Sequence, residues 1–184
     1  MSGLLPPFEA FPSIPRLKRV MTITEKIDGT NAQVWISDDG QTIAAGSRNR
    51  WVTVEDDNYG FARWVEDNKT ELLKLGPGRH YGEFWGSGIQ RRYGLKEKRF
   101  SLFNVTRWTA PDAALPSCVH LVPVLYQGDF SIETINAVLE DLRINGSKAA
   151  RGFADPEGIV VYLPAARQLF KITLGDDGHK TAKK

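Results

Sequence analysis

The clearest chemical signal in the chain is a lysine just before a tight turn, in residues 24–31, TEKIDGTN. Strand-forming residues precede Lys26 and follow Gly29, so the pattern places the lysine amine at the end of a strand, with Asp28 and Gly29 in the turn. A lysine nucleophile reacts as the neutral amine, and desolvation or nearby cations favour that form. The segment alone is equally compatible with an ordinary hairpin turn.

Other segments place charged side chains in apolar, strand-like surroundings, where an unpaired charge is costly. They are residues 46–50 (GSRNR), 81–86 (YGEFWG), 156–161 (PEGIVV) and 169–173 (LFKIT). Residues 100–104 (FSLFN) add an aromatic face. Arginine and lysine suit phosphate, carboxylates suit a hydrated divalent metal, and a phenylalanine ring suits a base. Together these segments predict a site for a nucleotide and a metal ion.

In their order along the chain, these motifs resemble those of the covalent nucleotidyltransferases, the superfamily of ATP-dependent ligases and capping enzymes. KxDGTN, SRNR, YGEFWG, FSLFN, EGIVV and FK extend from about Glu25 to Lys171, over nearly the whole chain. They are most similar to the ATP-dependent RNA ligases of the phage T4 RNA ligase 2-like type. The position of Asn31 is typically Asn in those ligases and Arg in DNA ligases and capping enzymes.

The resemblance implies a ligase that uses ATP and Mg²⁺ or Mn²⁺ and seals RNA ends bearing a 5′-phosphate and a 3′-hydroxyl. Lys26 would be the nucleophile that forms lysyl-AMP, Glu157 would help to hold the metal, and Lys171 would neutralise the α-phosphate. The metal would be held by Glu157, Glu83 and Asn31. The residues that would bind ATP are Glu25, Asp28, Gly29, Asn31, Arg48, Glu83 and Phe103.

Some of these ATP contacts carry a specific expectation from the resemblance. Glu25 would lie near the adenine amino group, and Phe103 would stack on the adenine ring. Arg48 would contact the sugar or the incoming phosphate, and Glu83 would meet the ribose or a metal-bound water. The last motif departs from the family pattern, which usually has two lysines as KxK, because Leu169 and Thr173 flank the single Lys171.

A basic segment follows the YGEFWG motif and predicts contacts with the polynucleotide backbone. The residues predicted to contact nucleic acid are Arg50, Arg91, Arg92 and Lys96. A solvated loop remains an alternative for this segment. For the whole chain, the alternatives are a DNA nick ligase, a guanylyltransferase, and a degenerate module that binds a nucleotide or RNA without turnover.

The elements that must position these residues are mainly strands. The predicted strands are residues 20–24, 30–36, 42–45, 79–85, 100–108, 119–126, 158–163 and 167–173. Two helices are predicted, over residues 57–75 with Asp57 as N-cap, and from a cap at Ser131 to a stop at Gly146. This pattern is typical of an α+β fold with mainly antiparallel sheets. With the resemblance, it predicts a nucleotidyltransferase domain with flanking helices and the nucleotide site between the sheets.

Composition limits the domain organisation. The 184 residues are 41% hydrophobic and 25% charged, which suits one globular domain. We expect an N-terminal arm over 1–18, pinned by Phe8 and Phe11, a domain over 19–175, and a polar tail over 176–184.

Composition also excludes several classes of protein. The net charge of +2 excludes a histone-like polycation, so nucleic-acid binding must depend on a local basic face. A single cysteine excludes an internal disulfide, and no P-loop or GxGxxG motif is present. The single cysteine predicts a reducing, cytoplasmic setting, and with no signal-peptide pattern and no apolar run of about 18 residues no membrane contact is expected.

Overall fold

The computed structural model describes residues 7–14, 20–111 and 113–175. The strands in these ranges are β1 (Val20–Lys26), β2 (Thr30–Ile36), β3 (Ile43–Ser47), β4 (Trp51–Val52), β5 (Gly78–Gly86), β6 (Lys98–Leu102), β7 (Val119–Leu121), β8 (Val124–Asp129), β9 (Gly158–Leu163) and β10 (Gln168–Thr173). The helices are α1 (Phe61–Asp67), α2 (Lys69–Leu72), a 3₁₀ turn (Leu73–Leu75), α3 (Val105–Trp108) and α4 (Ile132–Asn145).

The strands form two sheets. Sheet A has the order β10-β9-β1-β8, and sheet B has the order β4-β3-β2-β5-β6-β7. Neighbouring strands are antiparallel except β6 and β7, which are parallel. The predicted α+β fold with mainly antiparallel sheets is therefore confirmed.

Each sheet buries one face against a helical layer. Sheet B packs against α1 and α2 through a core that includes Phe61, Val65 and Leu72. Sheet A packs against α4, where Ile135 and Leu142 meet apolar side chains of β1 and β9. Because side chains alternate along a strand, most polar residues of the chemical motifs, Glu25 excepted, lie on the opposite faces. Helices thus cover the apolar faces and leave the polar faces open.

The turn after Lys26 carries the chain from one sheet to the other. Strand β1 belongs to sheet A and β2 to sheet B, so the hairpin alternative for this segment is wrong. Gly29 lies so close to β5 that a Cβ atom there would be 2.5 Å from the carbonyl oxygen of Phe84 and 2.8 Å from Cβ of Trp85. The glycine of the KxDG motif is therefore required by this close approach.

The predicted helix over 57–75 is interrupted and begins later than expected. Helix α1 begins at Phe61, after Gly60 in a left-handed conformation with φ of 80°. Asp57 still caps it from a distance, because its carboxylate accepts hydrogen bonds from the amides of Ala62 (2.8 Å) and Arg63 (3.1 Å). Asn68 separates α1 from α2, and its side chain donates to the Trp64 carbonyl at 2.8 Å.

Two predicted strands are wrong in extent. The strand predicted over 100–108 ends at Leu102, because Asn104 accepts a hydrogen bond from the Arg107 amide (3.2 Å) and starts α3. The strand predicted over 119–126 is two strands in different sheets, β7 and β8, separated by Val122 and Pro123. Proline lacks the amide proton that a continuous ladder needs, which favours a break here.

The second predicted helix is confirmed. Ser131 caps α4 by accepting a hydrogen bond from the Thr134 amide at 3.1 Å, and Gly146 ends it with φ of 74°. At the N-terminus, Phe8 and Phe11 are exposed, so the expectation that they pin the arm is wrong for residues 7–14. The rest of the predicted arm and the tail over 176–184 lie outside the described residues. Within the described ranges, none of the helices has the length and apolarity needed to cross a bilayer.

We expect Gly29→Ala to destabilise the fold by about 1–3 kcal/mol, since an added methyl group must displace the β5 backbone. Gly175→Ala is the matched control, because a Cβ atom there would meet nothing within 4 Å. Urea unfolding of both variants measures the effect. Equal unfolding midpoints for the two variants would contradict the close approach at Gly29.

Candidate active site

Lys26 is the last residue of β1, and its amine forms an ion pair with Glu157. The Lys26 Nζ atom is 2.6 Å from Glu157 Oε2, and both side chains are partly buried. The pairing of β1 with β9 explains this contact, since Lys26 lies opposite Gly158, the residue after Glu157. The ion pair fixes the amine at the junction of the two sheets. An ammonium group must lose a proton before it can act as a nucleophile.

Glu83 is a buried carboxylate held by the turn that follows Lys26. It lies opposite Asn31 in the β2–β5 ladder. One oxygen accepts a hydrogen bond from the Gly29 amide (3.0 Å), and the other accepts one from Asn31 Nδ2 (3.1 Å). Burial raises the pKa of Glu83 to about 7, against the opposing influence of the Lys26 charge. Its charge therefore changes near neutral pH.

Arg48 extends this network towards solvent. Its Nε atom donates to Asn31 Oδ1 at 2.8 Å, while Asn31 in turn donates to Glu83. Arg48 is exposed. A guanidinium has five N–H donors, so the contact with Asn31 leaves donors for an anion.

These side chains line one open cleft of about 350 Å³. The lining residues are Lys26, Asp28, Gly29, Thr30, Asn31, Arg48 and Glu83. All of them except Thr30, which lies inside the KxDGTN motif, are site residues predicted from the sequence. The Thr30 hydroxyl accepts a hydrogen bond from Asn58 Nδ2 at 3.1 Å, a contact with no signal in the sequence.

The cleft offers carboxylate and amide oxygens for a divalent cation, but few of them. In the described ranges, no three His, Cys, Asp or Glu side chains are grouped closely enough to hold a metal ion. Glu83 and Glu157 nevertheless lie near enough to influence each other's charge. Mg²⁺ commonly keeps several waters and binds one or two carboxylates together with substrate phosphates. The predicted set of Glu157, Glu83 and Asn31 fits such an ion.

Glu25 points away from the cleft and binds the segment after α4. Its buried carboxylate accepts hydrogen bonds from the Ser147 hydroxyl (2.5 Å) and from the amides of Lys148 (2.8 Å) and Ala149 (2.9 Å). Both carboxylate oxygens are thus engaged within the protein. A contact between Glu25 and adenine stays a prediction, whereas its anchoring of residues 147–149 is a structural feature that the sequence did not indicate.

Arg91, which the sequence predicts to contact nucleic acid, forms ion pairs with Asp28 and Asp155. Its Nε atom is 3.1 Å from Asp28 Oδ2, and its Nη1 atom is 2.6 Å from Asp155 Oδ2. Tyr93 supports the same turn, since its hydroxyl accepts a hydrogen bond from the Asp28 amide at 2.8 Å. Arg91 therefore ties the turn after Lys26 to the segment before Glu157.

The other predicted nucleic-acid residues differ in their surroundings. Arg50 forms an ion pair with Asp56 at 2.8 Å and closes a local loop. Arg92 and Lys96 are exposed on the segment between β5 and β6. That segment is unusual, because Gln90, Arg92 and Tyr93 have positive φ angles of 42°, 60° and 51°. Of the four predicted residues, Arg92 and Lys96 keep their charges on an open surface.

Phe103 and Lys171 lie outside the cleft lining. Phe103 follows β6, is exposed, and lies beside Tyr81, to whose carbonyl its amide donates at 3.0 Å. Lys171 is exposed on the edge strand β10, opposite Val160 of β9. Alternation along the strands places Lys171 on the same face of sheet A as Lys26. Their predicted roles towards ATP remain predictions.

Comparison with known proteins assigns the chain to a family. A family model described as RNA ligase matches residues 19–173, most of the chain. The chain belongs to the RNA ligase family. A search of curated proteins finds no match.

Solved structures similar to this RNA ligase family member include a variant of the Naegleria gruberi RNA ligase with ATP and Mn. It has 21% identity and a TM-score of 0.62, over 84% of this chain and 49% of that one. A second variant, with AMP and Mn, gives 21% identity and a TM-score of 0.61, over 84% and 49% of the two chains. The Naegleria ligase with PPi has 21% identity and a TM-score of 0.60, over 85% of this chain and 50% of that one. This chain thus shares their fold and spans about half their length.

The raised pKa of Glu83 predicts a pH dependence of stability. The folded protein holds the Glu83 proton more tightly than the unfolded chain does, so this group stabilises the fold below pH 4.5 and loses that contribution as the pH rises through about 7. We expect a loss of about 3.5 kcal/mol across this range, at about 1.4 kcal/mol per pKa unit.

Glu83→Gln cannot ionise and should lose this component of the pH dependence. Urea unfolding of the wild type and the variant at a series of pH values measures it. The slopes of unfolding free energy against pH are compared rather than the absolute stabilities, because the glutamine also loses one hydrogen-bond acceptor. Identical slopes in the two proteins would show that Glu83 does not titrate in this range.

Proposed function

We propose that this chain is the nucleotidyltransferase part of an ATP-dependent RNA ligase, within residues 19–175 and of the phage T4 RNA ligase 2-like type. The observation that carries the proposal is the meeting of the Lys26 amine with Glu157, Glu83 and Arg48 around one cleft. The Naegleria ligase structures with ATP, AMP, PPi and Mn support it by their similar fold.

The first step would transfer AMP to Lys26. The Nζ atom loses a proton and attacks the α-phosphorus of ATP. An N–P bond forms, the bond to the bridging oxygen breaks, and pyrophosphate leaves. Glu157, at 2.6 Å from Nζ, holds the amine at the sheet junction so that its approach to the phosphorus is set before ATP arrives.

The next steps would pass AMP to RNA and seal it. An oxygen of the 5′-phosphate attacks the phosphorus of lysyl-AMP, and the Lys26 amine leaves. The 3′-hydroxyl then attacks the 5′-phosphorus and releases AMP. Arg48 lies at the outer end of the Glu83–Asn31 network, where it can contact either the nucleotide or the incoming phosphate.

Other residues would complete the site for ATP and metal. A Mg²⁺ or Mn²⁺ ion, held partly through water by Glu83, Glu157 and Asn31, would supply positive charge to the phosphates. Lys171 would neutralise the α-phosphate from sheet A. Phe103 would stack on adenine from sheet B. Arg50, Arg91, Arg92 and Lys96 would contact the RNA backbone.

The substrate in this proposal is RNA with a 5′-phosphate and a 3′-hydroxyl, and DNA ends are the alternative substrate. The cytoplasmic location suggested by the single cysteine stays a prediction. A module that binds nucleotide without turnover would have the same cleft but would not form a covalent bond to AMP, which makes the first step the decisive test.

We expect ATP with Mg²⁺ or Mn²⁺ to label the protein covalently with AMP at Lys26. The label should be lost in acid, as a P–N bond is, and retained in base. Intact mass measurement detects the added AMP, and peptide mapping locates it. Lys26→Ala should carry none, and labelling of that variant at the wild-type level would exclude Lys26 as the nucleophile.

We expect Arg91→Ala to slow lysyl-AMP formation about tenfold or more, because the ion pairs that connect the Asp28 turn to the segment before Glu157 are lost. Arg91→Lys should recover part of the rate, since it keeps one charged contact. Arg143→Ala is the matched control, because Arg143 forms only an exposed ion pair on α4. Single-turnover labelling at saturating ATP, with unfolding midpoints as a check, measures the effect. A wild-type rate in Arg91→Ala would show that the tie does not position the site.

A further inference from the structure

A row of exposed aromatic side chains crosses sheet B beside the cleft. Trp51, Tyr81 and Phe103 are 48%, 54% and 42% exposed. The strand register places Trp51 opposite Gly46, Gly46 opposite Gln33, and Gln33 opposite Tyr81. We call Trp51, Gly46, Gln33, Tyr81 and Phe103 the aromatic row.

The aromatic row lies next to the catalytic side chains. Asn31 and Glu83 pair two residues further along the same strands, β2 and β5. Two residues of a strand span about 7 Å, and side chains two apart point to the same face. The aromatic row and the Asn31–Glu83 pair therefore share one face of sheet B and follow one another along it.

Contacts hold Trp51 in place at the outer end of the aromatic row. The Trp35 ring meets it edge-on, with centroids 6.4 Å apart. The Arg79 guanidinium lies 5.3 Å from the centre of the Trp51 ring and donates to Gln33 Oε1 at 2.9 Å. A large apolar ring that is both fixed and exposed is suited to binding.

The charges around the aromatic row favour a polyanion. Arg79 lies on Trp51, and Arg48 lies beside Asn31 in the cleft. The five positions of the aromatic row carry no carboxylate, and neither do Trp35 and the residues paired with it, Ala44 and Arg79. Aromatic faces with interleaved arginine are typical of surfaces that stack nucleic-acid bases and contact phosphates.

We propose that Trp51 and Tyr81 stack bases of the single-stranded RNA end as it enters the cleft, with Arg79 and Arg48 at its phosphates. The inference rests on the proposed function and deepens it. Strands lie about 4.8 Å apart, so Tyr81 on β5 and Trp51 on β4 are separated by about 14 Å and meet different nucleotides. Phe103, at the other end of the aromatic row, would stack on the adenine of ATP instead of on RNA.

The test measures RNA binding directly, without ATP or metal. A fluorescein-labelled single-stranded RNA with a 5′-phosphate is titrated with protein, and anisotropy gives its affinity. Stacking on one aromatic side chain is large enough that each of Trp51→Ala and Tyr81→Ala should weaken binding roughly fivefold or more. The double variant should be weaker than either single variant.

Conservative variants separate stacking from a structural effect. Tyr81→Phe and Trp51→Phe keep a ring and should bind within about threefold of the wild type, since every base can stack on any aromatic face. The matched control is Phe130→Ala, which removes an aromatic side chain of 42% exposure between β8 and α4. It should leave RNA affinity unchanged.

A second readout does not depend on the alanine variants folding. RNA should quench part of the intrinsic tryptophan fluorescence in the wild type, and Trp51→Phe should lose that part. Wild-type affinity in the double alanine variant, or equal quenching in Trp51→Phe, would overturn the inference and leave the aromatic row to a protein partner. Failure of Lys26 to label with AMP would instead contradict the proposed function, whatever the RNA affinities are.

Discussion

The active-site geometry depends on how abruptly the chain passes from sheet A to sheet B. Only residues 27–29 separate β1 from β2. This short crossing places the Lys26 amine, on one sheet, next to the Glu83 carboxylate, on the other. The crossing is possible because Gly29 has no Cβ and its amide donates to Glu83. The short turn therefore holds the two groups at one cleft.

Three charged residues around this crossing each bind a different part of the molecule. Glu25 anchors the segment after α4, Lys26 pairs with Glu157, and Asp28 pairs with Arg91. The alternation of side chains along β1 sends Glu25 and Lys26 to opposite faces. In the part of the chain that the structure describes, no buried side-chain nitrogen or oxygen lacks a hydrogen-bond partner. The charges of the motif therefore organise the surrounding loops as well as the cleft.

Sequence reasoning predicted what depends on local pattern and missed what depends on distant contacts. Charges in apolar strands predicted Glu83 and Glu157 as site residues, because such charges need a partner or a ligand. The ion pair of Arg91 with Asp28, by contrast, joins residues 63 positions apart, so no local pattern predicts it. Glu25 and Ser147 are 122 positions apart, so no spacing rule could connect them. The division of residues 119–126 between two sheets likewise depends on tertiary pairing that the hydrophobic run does not encode.

The charge balance of the cleft explains why a divalent cation belongs to the proposed reaction. Lys26 faces Glu157, Asp28 is paired with Arg91, and Asn31 connects Glu83 to Arg48. The lining charges nearly cancel, so the cleft alone cannot neutralise a triphosphate. The last motif adds only one lysine, Lys171, flanked by Leu169 and Thr173, and the second lysine of the family pattern is missing. Without it, a bound metal ion must neutralise more of the negative charge on the phosphates. The rate of lysyl-AMP formation should therefore depend steeply on metal concentration.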